Sequence, residues 1–106
     1  FAVLSARVGS IGDNRLGGWI SYRSAKAAVN QIVHTAAIEL SRSHPQSICV
    51  ALHPGTVETP FTEKYLGRHP AVPPGEAADN LLRVIDGLTS EESGGFFDWA
   101  GKAVPW

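Results

Sequence analysis

The sequence predicts an α/β fold in which strand, helix, strand, helix and strand follow one another along the chain. Two segments show the three-to-four-residue apolar periodicity of amphipathic helices. Three short apolar runs lie before, between and after these segments, and the middle run is continuous, without alternating polar residues. This alternation of strands and helices is typical of βαβ units, in which helices cover both faces of a parallel sheet.

The first half of the chain predicts a strand, a loop and a long helix. Residues 1–4 form an apolar run that we expect to end a buried strand, and the Gly- and Ser-rich residues 5–21 predict a loop. Apolar residues then recur with helical spacing from residue 22 to about residue 42. We expect Ser21 to cap this helix and the residue before Pro45 to end it.

The second half repeats this order with shorter elements. The continuous apolar run at 48–52 predicts a strand that is buried on both faces. The proline-rich residues 56–74 predict a long loop of the kind that often carries function. A second helix is expected from residue 74 or 75 to residue 88, and a last short strand at 96–99.

Composition excludes several classes of function. The net charge is -1 and no basic stripe is present, which argues against a nucleic-acid or anionic-membrane surface. No apolar stretch approaches the length of a membrane span. The four histidines match no ligand spacing, so we expect no metal site. A single cysteine excludes an internal disulfide, and with no basic leader in the sequence we expect a cytoplasmic location.

A phenol and an ammonium group are four residues apart at the start of the first predicted helix. Positions i and i+4 lie on one helix face, so Tyr22 and Lys26 are expected to point into the same cleft. A tyrosine hydroxyl is ordinarily a weak acid at neutral pH, and a nearby cation favours its ionised form. Such a pair can pass a proton to or from a substrate oxygen.

Four segments together resemble a known protein family. They are Ser-Ala-Arg-Val-Gly-Ser-Ile at 5–11, Tyr-Arg-Ser-Ala-Lys at 22–26, Pro-Gly-Thr-Val-Glu-Thr at 54–59 and the glycine-rich tail at 94–102. In this order and at these distances they resemble the C-terminal half of a short-chain dehydrogenase/reductase. The tail resembles the C-factor-like branch of that family.

The resemblance covers essentially all 106 residues. It implies the C-terminal part of a Rossmann-like, doubly wound parallel sheet, with residues 1–106 forming the C-terminal half of a single domain. The family's glycine-rich phosphate loop belongs to an N-terminal, dinucleotide-binding half that is absent from this chain. Because the first residues already predict a strand, and no Met precedes them, we expect a piece of a longer polypeptide that is inactive by itself.

The resemblance also implies roles for the tyrosine and the lysine. Tyr22 would be the catalytic acid/base, and both Tyr22 and Lys26 would contact the cofactor. Lys26 would favour the ionised form of Tyr22 and hydrogen-bond the nicotinamide ribose of NAD or NADP.

Further cofactor contacts are implied after the second strand. Pro54 and Gly55 would shape the turn beside the nicotinamide, and the backbone of Val57 would bind its carboxamide. Thr59 would supply a hydroxyl near the cofactor phosphates.

One expected catalytic residue departs from the family pattern. The family usually has a Ser three residues before the glycine of the first loop, and counting back from Gly9 gives Ala6. Ser5 is the residue before Ala6. Neighbouring residues of a strand face opposite sides, so Ser5 would face away from the expected site unless a bulge changes its direction. Ser5, Ser10 or a backbone amide could therefore bind the substrate oxygen.

The leading hypothesis is an NAD(P)(H)-dependent oxidoreductase that interconverts a small-molecule carbonyl and an alcohol by hydride transfer. The alternative is a non-catalytic fold relative that acts by partner binding or signalling, which Ala6 and the missing half favour. The alanine-rich helix at 22–42 is a possible homodimer interface. Trp19 is equally consistent with lining a substrate pocket and with packing in the fold.

Overall fold

The computed structural model describes residues 1–57 and 71–106. Five regular elements occur in these ranges in the predicted order: β1 (Ala2–Leu4), α1 (Ile20–Ser43), β2 (Val50–His53), α2 (Pro74–Gly87) and β3 (Phe96–Asp98). Short 3-10 turns follow β1 and α2, at Arg7–Gly9 and Ser90–Glu92. Most of the predicted loop before α2, including Thr59, lies outside the described residues.

The three strands form a parallel sheet in the order β1-β2-β3. The register pairs Leu4 with Leu52 and His53 with Asp98, so the carboxyl ends of all three strands meet at one edge. The central strand β2 is almost completely buried. The predicted α/β fold with a parallel sheet is thereby confirmed.

Helix α1 packs on one face of the sheet. Val33 and Ala37 are four residues apart and therefore lie on the same helix face, which they bury against the strands. The core that they form also includes Cys49, Ala51, Phe96 and Val104. Val50 and Leu52 alternate with Ala51 along β2 and are equally buried on the opposite face. The central strand is thus covered on both faces, as its continuous apolar sequence predicts.

The starts of two elements differ by two residues from the sequence-based expectation. Helix α1 begins at Ile20, and its N-cap is Trp19 in the left-handed conformation, so the prediction that Ser21 caps the helix was wrong. Strand β2 begins at Val50, two residues later than predicted. The reason is that the residue before it, Cys49, donates its N–H to the Ser93 hydroxyl at 2.9 Å instead of to a neighbouring strand.

The C-terminal tail returns to the loop that follows β1. The backbone N–H of Ile11 donates to the carbonyl of Trp106 at 2.5 Å, and the Ser10 hydroxyl donates to the carbonyl of Pro105. The Trp106 ring stacks on Phe96, with ring centroids 5.6 Å apart. The tail therefore fixes the loop from one side while α1 fixes it from the other.

Gly9 makes the closest approach between the loop and α1. A Cβ atom at this position would lie 2.7 Å from the Lys26 Cβ and 2.8 Å from the Lys26 carbonyl carbon. Both distances are shorter than nonbonded carbon atoms tolerate. Glycine is required here by the space available, and it allows the loop to lie directly against the helix segment that carries Lys26.

We expect Gly9→Ala to lower the free energy of unfolding by about 1–3 kcal/mol, because the added methyl group pushes the loop away from α1. Urea unfolding of the complete protein measures this change. The control is Gly75→Ala in the first turn of α2, where a Cβ would meet nothing within 4 Å. That substitution should be neutral or stabilise the protein by up to about 1 kcal/mol. Equal effects of the two substitutions would contradict this interpretation.

Candidate active site

The candidate site lies at the carboxyl edge of the sheet, where ligands bind in parallel α/β folds. The segments after β1 and β2 leave the sheet at this edge. The first turns of α1 lie beside the loop after β1, because Gly9 contacts Lys26 and the Arg23 guanidinium donates to the Val8 carbonyl at 3.3 Å. Two of the segments that the sequence analysis selected are thus placed together.

Tyr22 and Lys26 lie on one face of α1, as their four-residue spacing predicts. The Lys26 Nζ is 5.8 Å from the centroid of the Tyr22 ring, which is within the range of a cation–π contact. Tyr22 is 45% exposed, whereas Lys26 is half-buried. The arrangement places an ammonium group beside an accessible phenol. Their catalytic roles remain predictions.

Trp19 lies next to Tyr22. The two rings meet edge to face, with centroids 6.2 Å apart and planes inclined at 66°. Trp19 has φ 52°, and the two residues before it, Gly17 and Gly18, also have positive φ angles of 67° and 78°. For glycine this conformation is unstrained, but for a bulky residue it costs roughly 1–3 kcal/mol.

Arg23 holds this left-handed segment in place. Its Nε donates to the Gly18 carbonyl at 2.8 Å and its Nη2 to the Gly17 carbonyl at 3.1 Å. Together with the bond to Val8, the guanidinium binds three carbonyls from two parts of the loop. This role of Arg23 was not predicted from the sequence. The adjacent Gly17-Gly18 pair indicated a turn, but nothing in the sequence indicated which side chain would hold it.

Ser5 contacts α1 at Asn30, about two turns beyond Tyr22. It is 5% exposed, and its hydroxyl donates to the Asn30 Oδ1 at 2.6 Å, between β1 and α1. Among the described residues, the Asn30 amide nitrogen has no hydrogen-bond partner, so this bond is the side chain's link to the loop. The catalytic role of Ser5 stays a prediction, and this hydrogen bond argues against it.

The other serine candidate, Ser10, is also constrained, and Ala6 offers no hydroxyl. Ala6 occupies the position at which the resemblance places Ser, and its methyl group donates no hydrogen bond. Ser10 is buried, and its hydroxyl donates to the Pro105 carbonyl and accepts the Asp13 N–H at 3.0 Å. Both serine hydroxyls of this loop are therefore used in holding the fold together.

The predicted cofactor turn lies at the same edge. Pro54 and Gly55 follow β2 directly, and Gly55 has φ 79°, which favours glycine. A Cβ atom on Gly55 would lie 3.0 Å from the Trp99 ring, so the turn packs closely against the segment after β3. Val57 forms a parallel bridge with Val72. Thr59 lies outside the described residues, so its predicted contact is untested.

A charged cluster joins the ends of the three strands. Asp98 is 6% exposed and accepts hydrogen bonds from the Arg7 Nη2 at 3.1 Å and from the N–H groups of Ala100 and Lys102 at 2.9 Å. The Arg7 N–H donates to the His53 Nδ1 at 3.1 Å. Burial, and then the positive charge of Arg7, lower the pKa of His53. This cluster was not predicted from the sequence, because Arg7 and Asp98 are 91 positions apart.

In residues 1–57 and 71–106, no three His, Cys, Asp or Glu side chains come together as a metal site. Neither described helix is long and apolar enough to cross a membrane.

Comparison with known proteins gives the chain's relatives. It is 39% identical over 104 residues to 1-hydroxy-2-glutathionyl-2-methyl-3-butene dehydrogenase of Rhodococcus sp. (strain AD45), and 40% identical over 106 residues to C-signal of Myxococcus xanthus. It is also 37% identical over 115 residues to the short-chain dehydrogenase srdF of Neurospora crassa. These matches cover 98%, 99% and 100% of this chain. The chain belongs to the short-chain dehydrogenase/reductase family.

A solved structure supports the same assignment. The NADPH-bound carbonyl reductase from chicken fatty liver superimposes with a TM-score of 0.81 and is 34% identical. The match covers 99% of this chain and 42% of the reductase. Since no family model matches the chain, membership in the short-chain dehydrogenase/reductase family rests on these relatives.

The assignment made from the sequence is thereby confirmed. The chain spans about half the length of the curated relatives it matches, namely 45%, 60% and 44% of the three named above. The Rossmann-like fold that the family implies agrees with the parallel sheet and with the reductase structure.

We expect acid to destabilise this short-chain dehydrogenase/reductase partly through His53. Its pKa in the folded protein lies below the ordinary value of 6.5, so neutral His53 stabilises the fold above that pH. The stabilisation is lost as the pH falls from there toward the lowered pKa. Urea unfolding of the complete protein at about pH 7.5 and about pH 5.5 measures the loss.

His53→Asn should reduce this pH dependence. Asparagine keeps an acceptor for the Arg7 N–H but does not titrate. The matched control is His44→Asn, which removes an exposed histidine at the end of α1. The interpretation is wrong if His53→Asn and the wild type lose the same stability between the two pH values.

Proposed function

We propose that the complete protein containing this chain is an NAD- or NADP-dependent oxidoreductase that interconverts a small-molecule carbonyl and an alcohol. The observation that carries this proposal is the Lys26 ammonium group, 5.8 Å from the ring of the accessible Tyr22, at the carboxyl edge of the sheet. The proposal is supported by the relatives, which include a dehydrogenase and an NADPH-bound carbonyl reductase.

The chemistry divides between the cofactor and the chain. A bound nicotinamide cofactor supplies or accepts the hydride. In the reduction, the Tyr22 hydroxyl gives its proton to the substrate oxygen, so that a carbonyl becomes an alcohol. The positive charge of Lys26 stabilises the tyrosinate that remains. In the oxidation, the tyrosinate takes the proton from the alcohol oxygen.

The residues after β2 fit the nicotinamide end of such a cofactor. Gly55 has a φ of 79° two residues after the strand, and the Trp99 ring fills the space that a side chain there would need, so glycine allows a tight turn at this edge. Pro54, Gly55 and the Val57 backbone would hold the nicotinamide, and Lys26 would hydrogen-bond its ribose. The proposal extends to Thr59 through the family resemblance alone.

An upstream half is part of the proposal. In the described residues, β1 pairs with β2 on one side only, and Phe1 and Leu4 beside its other edge are exposed. Further strands from an upstream, dinucleotide-binding half would cover this edge. We propose that residues 1–106 are the C-terminal half of one domain and that they bind cofactor weakly when isolated.

The proposal also includes an oligomeric state and a location in the cell. Ala25, Ala28 and Ile32 form an exposed stripe along α1 and would serve as a homodimer interface. A cytoplasmic location is proposed from the single cysteine of the chain.

One observation favours a second function. The hydroxyls of Ser5 and Ser10 are used in structural hydrogen bonds, and Ala6 occupies the position where the family usually has Ser. A missing oxyanion donor lowers the rate by about 10²–10³-fold. The alternative is therefore a fold relative that binds cofactor without turning over any carbonyl and acts by partner binding or signalling.

Tyr22→Phe in the complete protein should lower kcat by at least about 10²-fold, because the ring remains but the proton donor is lost. Cofactor affinity should change little. Consumption of NADPH or NADH, followed by absorbance, gives the rate, and fluorescence titration gives the affinity. Thr35→Val removes an exposed hydroxyl from the same helix and should leave the rate unchanged. Undiminished turnover by Tyr22→Phe would refute the proposed mechanism.

Ser5→Ala separates a structural role from a catalytic one. We expect the free energy of unfolding to fall by about 1–3 kcal/mol, because Asn30 loses its buried partner. We expect kcat/KM to fall by less than about tenfold, compared with about 10²–10³-fold for an oxyanion donor. Ser24→Ala, an exposed serine of α1, is the control. A large rate loss with unchanged stability would show that Ser5 acts in catalysis after all.

A further inference from the structure

We propose that Trp19 determines substrate preference by forming an aromatic wall beside Tyr22, which favours carbonyls that carry a flat, apolar ring. Arg23 is the positioning residue that keeps this wall in place. The inference rests on the proposed function, since it assigns the substrate class of the same site.

The position of the indole makes it a substrate contact. Trp19 is 57% exposed, and its ring meets the Tyr22 ring edge to face at a centroid distance of 6.2 Å. A substrate whose oxygen reaches the Tyr22 hydroxyl can place its neighbouring atoms against the exposed part of the Trp19 ring. Aromatic faces prefer flat, apolar partners, so the group bonded to the carbonyl carbon is selected for flatness.

The backbone conformation indicates that the Trp19 side chain has a function of its own, beyond allowing the turn. Trp19 is the one non-glycine residue with positive φ in the described ranges, and it follows two glycines with positive φ. A third glycine would adopt this conformation without strain. A strained residue persists where its surroundings determine its conformation, and such residues concentrate at functional sites.

Arg23 supplies these surroundings. Its guanidinium binds the Gly17, Gly18 and Val8 carbonyls, at 3.1, 2.8 and 3.3 Å. Its backbone N–H donates to the Trp19 carbonyl at 2.9 Å, which is the first hydrogen bond of α1. One residue, adjacent to Tyr22, therefore fixes both the loop that carries the indole and the start of the helix that carries the phenol.

The planar guanidinium suits this task. Arginine presents five N–H donors in a rigid fork, whereas lysine presents three from a single nitrogen. An ammonium group in place of Arg23 keeps the charge but cannot reach three separate carbonyls with the same geometry. The orientation of Trp19 should thus be sensitive even to Arg23→Lys.

The test uses the complete protein and two aldehydes of similar size, benzaldehyde with a flat ring and cyclohexanecarbaldehyde with a puckered one. The readout is the ratio of their kcat/KM values with NADPH or NADH, because this ratio does not depend on the fraction of folded protein. We expect the wild type to favour benzaldehyde by about tenfold or more.

Trp19→Gly should bring the ratio near one, mainly through a higher KM for benzaldehyde. Trp19→Phe should retain most of the preference. Leu16→Ala, which shortens a 94% exposed apolar side chain in the same loop, is the control and should leave the ratio unchanged.

Arg23→Lys should lower the ratio by several-fold, about half of the effect of Trp19→Gly on a logarithmic scale. The control is Arg15→Lys, since the Arg15 guanidinium reaches the carbonyl of its own neighbour, Asn14, on the surface. A change in the ratio of the two kcat/KM values shows that Arg23 positions Trp19, because a general loss of folded protein would lower both values equally.

The outcomes separate this inference from the proposed function. If the wild type reduces both aldehydes equally, or if Trp19→Gly leaves the ratio unchanged, the inference is wrong and the oxidoreductase assignment stands. If the wild type reduces neither these aldehydes nor a wider panel of carbonyls with either cofactor, the proposed function fails and the inference fails with it.

Discussion

The candidate site depends on how closely the loop after β1 lies against helix α1. Three contacts close this seam: Gly9 against Lys26, the Ser5 hydroxyl on Asn30 at 2.6 Å, and the Arg23 guanidinium on Val8. Each contact joins a loop residue to a helix residue within three turns of Tyr22. A shift of the loop would therefore move its residues relative to the Tyr22 phenol. The close approach at Gly9 means that the available space, as well as hydrogen bonding, constrains this part of the sequence.

Hydrogen bonds of Arg7 also hold the loop after β1 to the sheet. Arg7 links the end of β1 to Asp98 at the end of β3, and its backbone holds His53 at the end of β2. Asp98 is buried but accepts three hydrogen bonds, which compensate for the desolvation of its carboxylate. Hydrogen bonds consequently link the carboxyl ends of all three strands to one another.

Much of this arrangement could be predicted from the sequence because it follows from local periodicity. The apolar runs gave the strands, and helix geometry alone brought Tyr22 and Lys26 together. The start of α1 could not be predicted, because the cap is a strained Trp19 and not the polar Ser21. The Ser5–Asn30 and Arg7–Asp98 pairs could not be predicted either. They join residues 25 and 91 positions apart, and such pairing is decided by the packing of the whole sheet.

Hydride transfer is the central claim, and isotope transfer tests it most directly. The complete protein would be incubated with a carbonyl substrate and NADPH or NADH that carries deuterium at the reactive C4 position, and the alcohol analysed by mass spectrometry. Our account predicts one deuterium, bound to the carbon that carried the carbonyl oxygen, in a product that Tyr22→Phe forms at least about 10²-fold more slowly than the wild type. If neither C4-deuterated epimer of either cofactor gives labelled alcohol, the account is contradicted.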